Sequence, residues 1–520
     1  MHVCYLVYEL RFSRLLTLDS RLSTIMRHII HIFLWGEEIG ALEWKPQTGR
    51  SFFIYNPAYI NKGGVSIAPL IAPIDKDALY RSFGSENERI FQRLPSFLAD
   101  SLPDDWGNTL FEHWRADQHL APAEVTPLDK LTFIGKRGMG ALEFEPDAQL
   151  MPHAEPVNVG ELAHLAQKIF VEREEAHIAP DEELTKQMLM AVGTSAGGRQ
   201  PKAIIAINRE SGEMRSGQIA GLDGYDYYIL KFGDAERSSA ELEMTYYEMA
   251  RAAKIEMMPS ELKPADGENH FITQRFDRPN GEKLHTQTLA AMDPDANSYE
   301  QLLLVCRKLH LTDASADEVF RRMVFNYLAN NTDDHHKNFA FIMNRRGEWS
   351  LAPAYDMTYI FNRRGFLPEH THCLLMRGKY ADWTKEDVML FAADNGIRDA
   401  EKIIRQVADA VMQFRTLAEK NGVKAEWIGR IEECLQGHLR KWGFDIPAQE
   451  LTWITSDGKH ISNVYLEQAY KGNIHLNATV DNSPRRWIFR PSLPEYKLIT
   501  EQGIANISQE QLKQWVEERI

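Results

Sequence analysis

The sequence has few cysteines and little positive charge for its length. Four cysteines occur among 520 residues, and no pair has the spacing of a zinc finger or a redox motif. They are interpreted as reduced thiols, which are typical of a cytoplasmic protein. The 74 acidic residues outnumber the 59 basic ones and give a formal net charge of −15. Because phosphates are neutralised by a basic surface, unaided non-specific binding of nucleic acid is disfavoured.

Long apolar runs are also missing. No stretch approaches the ~20 apolar residues that cross a bilayer. Residues 1–25 contain apolar clusters interrupted by charges such as Glu9 and Arg14, so they lack the continuous core of a secretory signal. We therefore predict a soluble, cytoplasmic protein without membrane contact. Its fold is expected to begin near Met26, and residues 1–25 are interpreted as a disordered arm or a wrongly assigned start.

The rest of the composition is that of a globular protein, with 44% hydrophobic and 26% charged residues. Short strand-like runs dominate up to about residue 146, a linker with two prolines follows, and the sequence is mainly helical from about 295 to 444. Strand and turn patterns return near the C-terminus. These changes predict a leader at 1–25, a first domain at 26–150, a larger one at 159–446 and an appendage at 447–520.

The most informative segment is residues 325–356. A helix is predicted to start at a capping box on Ser315 and to end before a polar loop that presents Asp333 and Asn338. A predicted β-hairpin follows, and Asp356 comes directly after it. Phosphoryl transfer from a nucleotide needs a carboxylate at the acceptor hydroxyl and oxygen ligands for Mg²⁺. This order of groups therefore indicates a kinase.

A lysine suited to phosphate binding is present as well. Lys231 ends a predicted strand, and Glu243 lies on the helix predicted after it. In protein kinases a strand lysine paired with a helix glutamate orients the nucleotide phosphates. Taken alone, Lys231 is more simply a solvated charge at a strand end. The presence of Asp333, Asn338 and Asp356 favours the phosphate role.

A glycine-rich segment at residues 193–207 admits two interpretations. Gly193, Ser195 and Gly197 match the nucleophile elbow of serine hydrolases, but that motif needs a strand before it and a helix after it. Here the predicted order is reversed, which excludes the hydrolase. The alternative is a turn whose backbone N–H groups approach phosphate oxygens, with Lys202 adding charge. No Gly-Lys pair is followed by Ser or Thr, so a Walker loop is excluded.

Two further groups of residues are predicted to be structural. Gly135, Gly138 and Gly140 lack the order of a dinucleotide-binding motif and predict a tight turn. The second group combines four histidines with one cysteine. None of its pairs shows zinc-site spacing, so ordinary loop residues are predicted. Its members are His335, His336, His370, His372 and Cys373.

Six motifs together resemble the HipA family, the serine/threonine kinase toxins of bacterial toxin–antitoxin modules. They are LADSLPDDWG (98–107), LTFIGKRGMGALEFEP (131–146), SAGGRQPK (195–202), ITQRFDR (272–278), TDDHHKNF (332–339) and LAPAYD (351–356). The resemblance covers about residues 27–445. It implies an α+β fold, with a two-lobed protein-kinase-like core, an N-terminal α/β subdomain and a mainly helical C-lobe. Residues after about 446 have no counterpart in this pattern.

The resemblance also implies roles for individual residues. Asp333 becomes the catalytic base, Asn338 and Asp356 the Mg²⁺ ligands, Glu243 the ion-pair partner of Lys231, and Ser195 the site of inhibitory autophosphorylation. The residues implied to bind ATP are Ala196, Gly197, Gly198, Arg199, Gln200, Pro201, Lys202, Lys231, Gln274, Arg275, Phe276, His335, His336, Lys337, Asn338, Tyr355 and Asp356. For Gln274, Arg275 and Phe276 the resemblance implies that the backbone makes the contact with ATP.

Implied partners complete the hypothesis. Family members act with a small helix-turn-helix antitoxin that supplies the DNA binding, which agrees with the acidic charge of this chain. The substrate is a protein, and aminoacyl-tRNA synthetases are among the family's targets. A small-molecule kinase shares the same phosphate machinery and remains an alternative. A binding-only corepressor that has lost catalysis is the third reading, and the presence of all the expected polar groups argues against it.

Overall fold

The computed structural model describes most of the chain between residue 28 and the C-terminus. The described residues are 28–84, 91–148, 150, 157–172, 183–193, 200–218, 222–361, 370–444, 453–468, 473–481, 483–502, 507 and 509–520. The predicted leader, residues 1–25, lies outside them. The chain divides into two compact units, Met1–Phe444 and Asp445–Ile520. Within the described ranges, no helix combines the length and the apolar character needed to cross a membrane.

An antiparallel sheet forms the N-terminal subdomain. Its strands are β1 (Ile29–Leu34), β2 (Glu37–Lys45), β3 (Arg50–Tyr55), β4 (Phe83–Gly84) and β5 (Leu142–Glu145), in the order β4-β3-β2-β1-β5. Burial alternates along β1, so Ile30, Ile32 and Leu34 point into the core. The helices are α1 (Pro57–Asn61), α2 (Ser96–Ala99), α3 (Asp105–Asp117) and α4 (Pro127–Ile134).

A second five-stranded antiparallel sheet forms the first lobe of the core. Its strands are β6 (Lys202–Asn208), β7 (Met214–Ser216), β8 (Tyr225–Lys231), β9 (Ser260–Ala265) and β10 (Glu268–Gln274), in the order β7-β6-β8-β10-β9. The associated helices are α5 (Val159–Glu172), α6 (Glu183–Val192) and α7 (Ser239–Ala252). Apolar residues of the sheet pack with those of α5 and α6. The predicted strand ending in Lys231 and the predicted helix carrying Glu243 are both confirmed.

The second lobe is mainly helical around a small sheet. The sheet contains β11 (His285–Thr288), β12 (Ala340–Met343) and β13 (Trp349–Leu351). The predicted hairpin is confirmed, because Phe341 pairs with Leu351 and Met343 with Trp349. The helices are α8 (Leu289–Met292), α9 (Tyr299–Lys308), α10 (Asp313–Leu328), α11 (Lys385–Asn395), α12 (Ala400–Val411), α13 (Phe414–Asn421) and α14 (Ala425–Lys441). The expected α+β class with a mainly helical second lobe is therefore present.

The start of α10 differs from the prediction. The helix begins at Asp313, and Thr312 has the extended backbone of an N-cap residue. The backbone N–H of Ser315 donates to the carbonyl of Thr312, so Ser315 already lies in the first turn. The capping box predicted at Ser315 is therefore wrong. The helix ends at Leu328, five residues before Asp333, so it still leads directly into the polar loop.

A buried cluster joins the N-terminal subdomain to the core. Asp277 lies between Arg275 and Arg278, at 2.8 Å and 2.7 Å from their guanidinium nitrogens. The same carboxylate accepts the backbone N–H of Gly140 at 2.7 Å, and Arg278 donates to the carbonyl of Gly138. Gly140 has φ +76°, and a Cβ there would come within 3.0 Å of the Thr286 nitrogen. The glycine-rich turn thus lets the two parts approach closely.

The C-terminal unit has its own sheet and core. Its strands β14 (Trp453–Ile454), β15 (His460–Gln468), β16 (Ile474–Val480) and β17 (Ser483–Phe489) are adjacent in chain order. Helices α15 (Pro494–Gln502) and α16 (Gln509–Glu517) follow. Ile461, Leu476, Phe489, Ile499 and Val516 are buried together.

Candidate active site

Lys231 is the centre of the candidate site. It ends β8, with Lys202 of β6 and Phe271 of β10 as its neighbours across the sheet. Its ammonium contacts the carboxylate of Glu243 on α7 and lies 2.6 Å from Oδ1 of Asp356. The side chains of Lys231 and Glu243 are only 10% and 7% exposed, whereas that of Asp356 is 36% exposed. The cluster is therefore buried on the side of α7 and accessible to solvent at Asp356.

Electrostatics keep this cluster charged. Burial alone would lower the pKa of Lys231, but Asp356 and Glu243 outweigh it and raise that pKa above its ordinary value. Burial would conversely raise the pKa of Asp356, but Lys231 lowers it to about 2, with smaller contributions from Lys202 and His335. At neutral pH the lysine is cationic and Asp356 is ionised. The contribution of His335 shows that the polar loop lies within electrostatic range of Asp356.

The backbone around Asp356 is unusual. Asp356 has φ +56°, in the left-handed region that only a few per cent of non-glycine residues adopt, with Asn, Asp and His enriched among them. The preceding Tyr355 donates its hydroxyl to the carbonyl of Lys337 at 2.7 Å. Its ring lies 5.7 Å from that of Phe276. Tyr355 therefore connects the segment of Asp356 with the polar loop and with the residues after β10.

The polar loop between α10 and β12 is closed by its own hydrogen bonds. The side-chain amide of Asn338 donates to the carbonyl of Asp333 at 2.8 Å, and its backbone N–H donates to His335. Asp333 is half-buried, with Sγ of Cys373 at 3.9 Å from Oδ1. Burial lowers the pKa of His336 to about 4, so this ring is neutral at physiological pH. Asp333 and Asn338 are thus held in one compact turn.

Asp334 is an anchor of this loop that the sequence analysis did not single out. It is buried, and its carboxylate accepts the Tyr299 hydroxyl at 2.6 Å and the backbone N–H of Cys373 at 2.7 Å. Nδ1 of His372 lies 2.9 Å from the same carboxylate. The only signal in the sequence was the pair of adjacent aspartates, which does not say which one points inward. Asp334, which points inward, therefore fixes the position of Asp333, which points outward.

Lys202 is held from the N-terminal subdomain. It is 2% exposed, and its Nζ lies 3.6 Å from Oδ2 of Asp104, the N-cap residue of α3. The indole N–H of Trp106 donates to the carbonyl of Lys202 at 3.0 Å. Burial lowers the pKa of Lys202 and raises that of Asp104, and each charge partly opposes the shift of the other. The motif around Asp104 therefore supports the start of β6.

The glycine-rich loop is only partly described. Thr194, Ser195, Ala196, Gly197, Gly198 and Arg199 lie outside the described residues. At its exit, the side-chain amide of Gln200 donates to the carbonyl of Phe232 at 2.7 Å. The N–H of Phe232 donates to the carbonyl of Pro201 at 3.0 Å. The end of the loop is thus fixed beside Phe232, one residue after Lys231.

The segment at the end of β10 is held mainly by backbone hydrogen bonds. The N–H of Gln274 donates to Pro259, and the N–H of Arg275 donates to Tyr227 at 2.8 Å. The guanidinium of Arg275 is fully buried against Asp277. Arg275 therefore has a structural side chain, and its position beside Tyr227 leaves Phe276 next to Tyr355.

Comparisons with known proteins agree with this architecture. Residues 30–145 match the HipA N-terminal domain, and residues 194–414 match the HipA-like C-terminal domain. A protein of Haemophilus influenzae, named as a candidate kinase, is 27% identical over 287 residues, which are 47% of this chain and 81% of that protein. A chain of the Shewanella oneidensis HipA–HipB–operator DNA complex superposes with a TM-score of 0.57 at 15% identity, covering 79% of this chain and 97% of that one. At this identity the superposition shows a shared fold.

Proposed function

Because the chain belongs to the HipA family, we propose that it is an ATP-dependent serine/threonine protein kinase and the toxin of a toxin–antitoxin module. The observation that carries this proposal is the contact of Lys231 with both Glu243 and Asp356. A lysine on a strand, paired with a helix glutamate beside a cation-binding aspartate, is the arrangement that protein kinases use for the phosphates of ATP.

The donor atoms fit a magnesium nucleotide. Mg²⁺ prefers oxygen ligands and is usually bound by one or two carboxylates together with phosphate oxygens. Asp356 is ionised and partly exposed. Asn338 uses its amide nitrogen for the bond to Asp333, so its amide oxygen is the atom that can face a cation. We assign Asp356 and Asn338 as the protein ligands. ATP supplies the phosphoryl group, and Mg²⁺ neutralises the charge on its oxygens.

The remaining residues have distinct roles in phosphoryl transfer. Lys231 binds phosphate oxygens, and Glu243 orients it. Asp333 accepts the proton of the serine or threonine hydroxyl while the hydroxyl oxygen bonds to the γ-phosphorus and the bond to the ADP oxygen breaks. Asp334 positions Asp333 through its hydrogen bonds with Tyr299 and Cys373, which anchor the loop. This arrangement accounts for two adjacent aspartates with different surroundings.

The decisive experiment incubates the full chain with labelled ATP, Mg²⁺ and a bacterial lysate. We expect labelled protein bands that contain phosphoserine or phosphothreonine and that are absent with Asp333→Asn. Label only in small molecules would instead indicate the small-molecule kinase. The absence of transfer by a folded chain that binds ATP would favour the corepressor. Mass spectrometry of the labelled bands identifies the substrate class directly.

We also propose that Ser195 is the site of inhibitory autophosphorylation. A phosphoserine adds nearly two negative charges at neutral pH. Since the loop exit is fixed beside Phe232, that charge would repel the triphosphate held by Lys231. The test maps phosphate after incubation with Mg-ATP, in the wild type and in Ser195→Ala. Phosphate at Thr194 instead, or equal loss of activity in both proteins, would contradict the proposal.

For DNA, we propose indirect binding in the cytoplasm through a helix-turn-helix antitoxin. The net charge of −15 disfavours direct contact with DNA phosphates. The distant structural relative comes from a complex that contains HipA, HipB and operator DNA. Operator DNA should therefore be retained by this chain only when the antitoxin is present. Retention of DNA by the chain alone would contradict this proposal.

A further inference from the structure

A group of side chains outside the candidate site resembles a metal centre. Cys434 and His438 are four residues apart on α14, so they lie on the same face of the helix. His370 approaches them from the segment that follows Asp356 along the chain. One potential ligand atom from each of the three residues lies within 4.8 Å of the other two, and Sγ of Cys434 is 3.8 Å from Nδ1 of His370.

The surroundings of His438 provide an independent observation. This residue is 5% exposed, and among the described residues its Nδ1 has no hydrogen-bond partner. A buried polar atom without a partner is rare in folded proteins and calls for an explanation such as a bound ion.

We propose that His370, Cys434 and His438 bind a divalent transition-metal ion of the zinc type. One thiolate and two imidazoles form a donor set that zinc prefers, and magnesium and calcium do not. With metal–ligand bonds of about 2.0–2.3 Å, the ligand atoms of a tetrahedral site lie about 3.3–3.8 Å apart. One potential ligand atom of each residue lies within 4.8 Å of the other two, so small movements of the side chains would bring them to that separation. Three protein ligands leave the fourth position to water.

The neighbours of the cluster fit this assignment. Imidazoles that bind metals commonly donate their other ring N–H to an oxygen of the protein. Nδ1 of His370 lies 2.6 Å from Oδ1 of Asn330, which provides such an oxygen. The sequence analysis predicted ordinary loop histidines because it compared only nearby residues. His370 and Cys434 are 64 positions apart, and only the packing of α14 brings them together.

The position of the cluster suggests what the ion does. His370 precedes His372 and Cys373, which both contact Asp334 at the base of the polar loop. Asn330 begins the chain that leads from α10 to Asp333. An ion bound here would fasten α14 to both segments and so stiffen the support of the loop. Metal binding itself does not depend on the kinase proposal and is measured without ATP.

The test uses Co²⁺ as a spectroscopic substitute for zinc in the full chain after treatment with a chelator. We expect a thiolate-to-cobalt absorption band that saturates at equimolar cobalt and disappears when Zn²⁺ is added. Cys434→Ala should abolish the band, and His370→Ala should weaken cobalt binding by about tenfold or more. Cys306→Ala is the matched control, because Cys306 is a buried thiol on α9 and not part of the cluster.

The contrary outcomes are equally clear. A folded wild-type chain without a thiolate band, or a band that survives in Cys434→Ala, would overturn the proposal. If Cys434→Ala does not fold, His370→Ala decides, and unchanged cobalt affinity there overturns it as well. Melting temperatures give a second readout: Zn²⁺ should stabilise the wild type and Cys306→Ala but not His370→Ala. Equal stabilisation of all three would exclude this site.

Discussion

Two charged clusters of similar composition have different surroundings in this protein. The lysine cluster consists of Lys231, Glu243 and Asp356, and the arginine cluster consists of Arg275, Asp277 and Arg278. In the arginine cluster the side chains of Arg275 and Asp277 are fully buried. The carboxylate of Asp277 also accepts a hydrogen bond from the backbone N–H of Gly140. In the lysine cluster Asp356 is 36% exposed. Solvent access, and not charge, separates the cluster that joins subdomains from the one that can receive a ligand.

The two aspartates are both ionised, for the same reason. Burial alone would raise the pKa of Asp277, but the two arginines hold it well below its usual range. Burial would also raise the pKa of Asp356, and Lys231 lowers it to about 2. Neutralising either carboxylate therefore removes a full charge. We expect the loss to appear as unfolding in one cluster and as weaker nucleotide binding in the other.

The largest effect is expected next to the open cluster, in the polar loop. Asp333→Asn should lower phosphotransfer by about 10²–10⁴-fold, because general-base catalysis contributes on that scale. ATP affinity should stay within a few-fold, since the role proposed for Asp333 is at the acceptor hydroxyl and not at the nucleotide. Asp356→Asn is the matched variant and should weaken binding of Mg-ATP itself. Titration with a fluorescent nucleotide, together with initial rates, separates the two. Equal loss of nucleotide affinity in both variants would show that the roles are assigned wrongly.

The second effect concerns the closed cluster. Asp277→Asn leaves Arg275 and Arg278 buried without a counter-charge, and breaking a buried pair in this way costs about 3–5 kcal/mol. Urea unfolding of the full chain measures the change. Asp356→Asn is the control, because Lys231 there keeps Glu243 as a partner and should lose much less stability. A similar free energy of unfolding for both variants would remove the distinction between the clusters.

The elements that could be predicted from the sequence are those with local signals. The hairpin of β12 and β13 follows from alternating apolar residues on either side of a turn, and Gly347 in that turn has φ +79°. The strand that ends in Lys231 follows from its run of β-forming residues. The predicted start of α10 was wrong because Thr312 and Ser315 are both good capping residues, and the local sequence does not choose between them.

The contacts that could not be predicted join distant parts of the chain. Gly140 and Asp277 are 137 positions apart. Within the arginine cluster only Arg275 was assigned a role, a backbone contact with nucleotide. Asp104 was noted as part of a motif, but nothing in its neighbourhood indicates that it meets Lys202. Which of Asp333 and Asp334 turns inward depends on Tyr299 of α9. Such partners are chosen by the packing of whole elements, and periodicity carries no information about them.

The smallest predicted effect comes from a neutral link between the same two parts that the arginine cluster joins. His285 is fully buried on β11, and its Nε2 lies 2.8 Å from the carbonyl of Ile67. Burial lowers its pKa to about 4, against about 6.5 in an unfolded chain. Between these two values the unfolded chain binds a proton that the folded chain does not. Stability should therefore fall as the pH decreases through this range, by at most about 1.4 kcal/mol per pH unit.

His285→Gln tests this neutral link, because glutamine can donate to Ile67 without titrating. Urea unfolding at neutral pH and near pH 5 should show a shallower loss of stability for this variant than for the wild type. The control is His164→Gln on the exposed face of α5, which should keep the wild-type slope. The arginine cluster adds little here, since its carboxylate titrates only at much lower pH. If His285→Gln and the wild type lose stability equally on acidification, the buried histidine is not the group that makes this junction sensitive to acid.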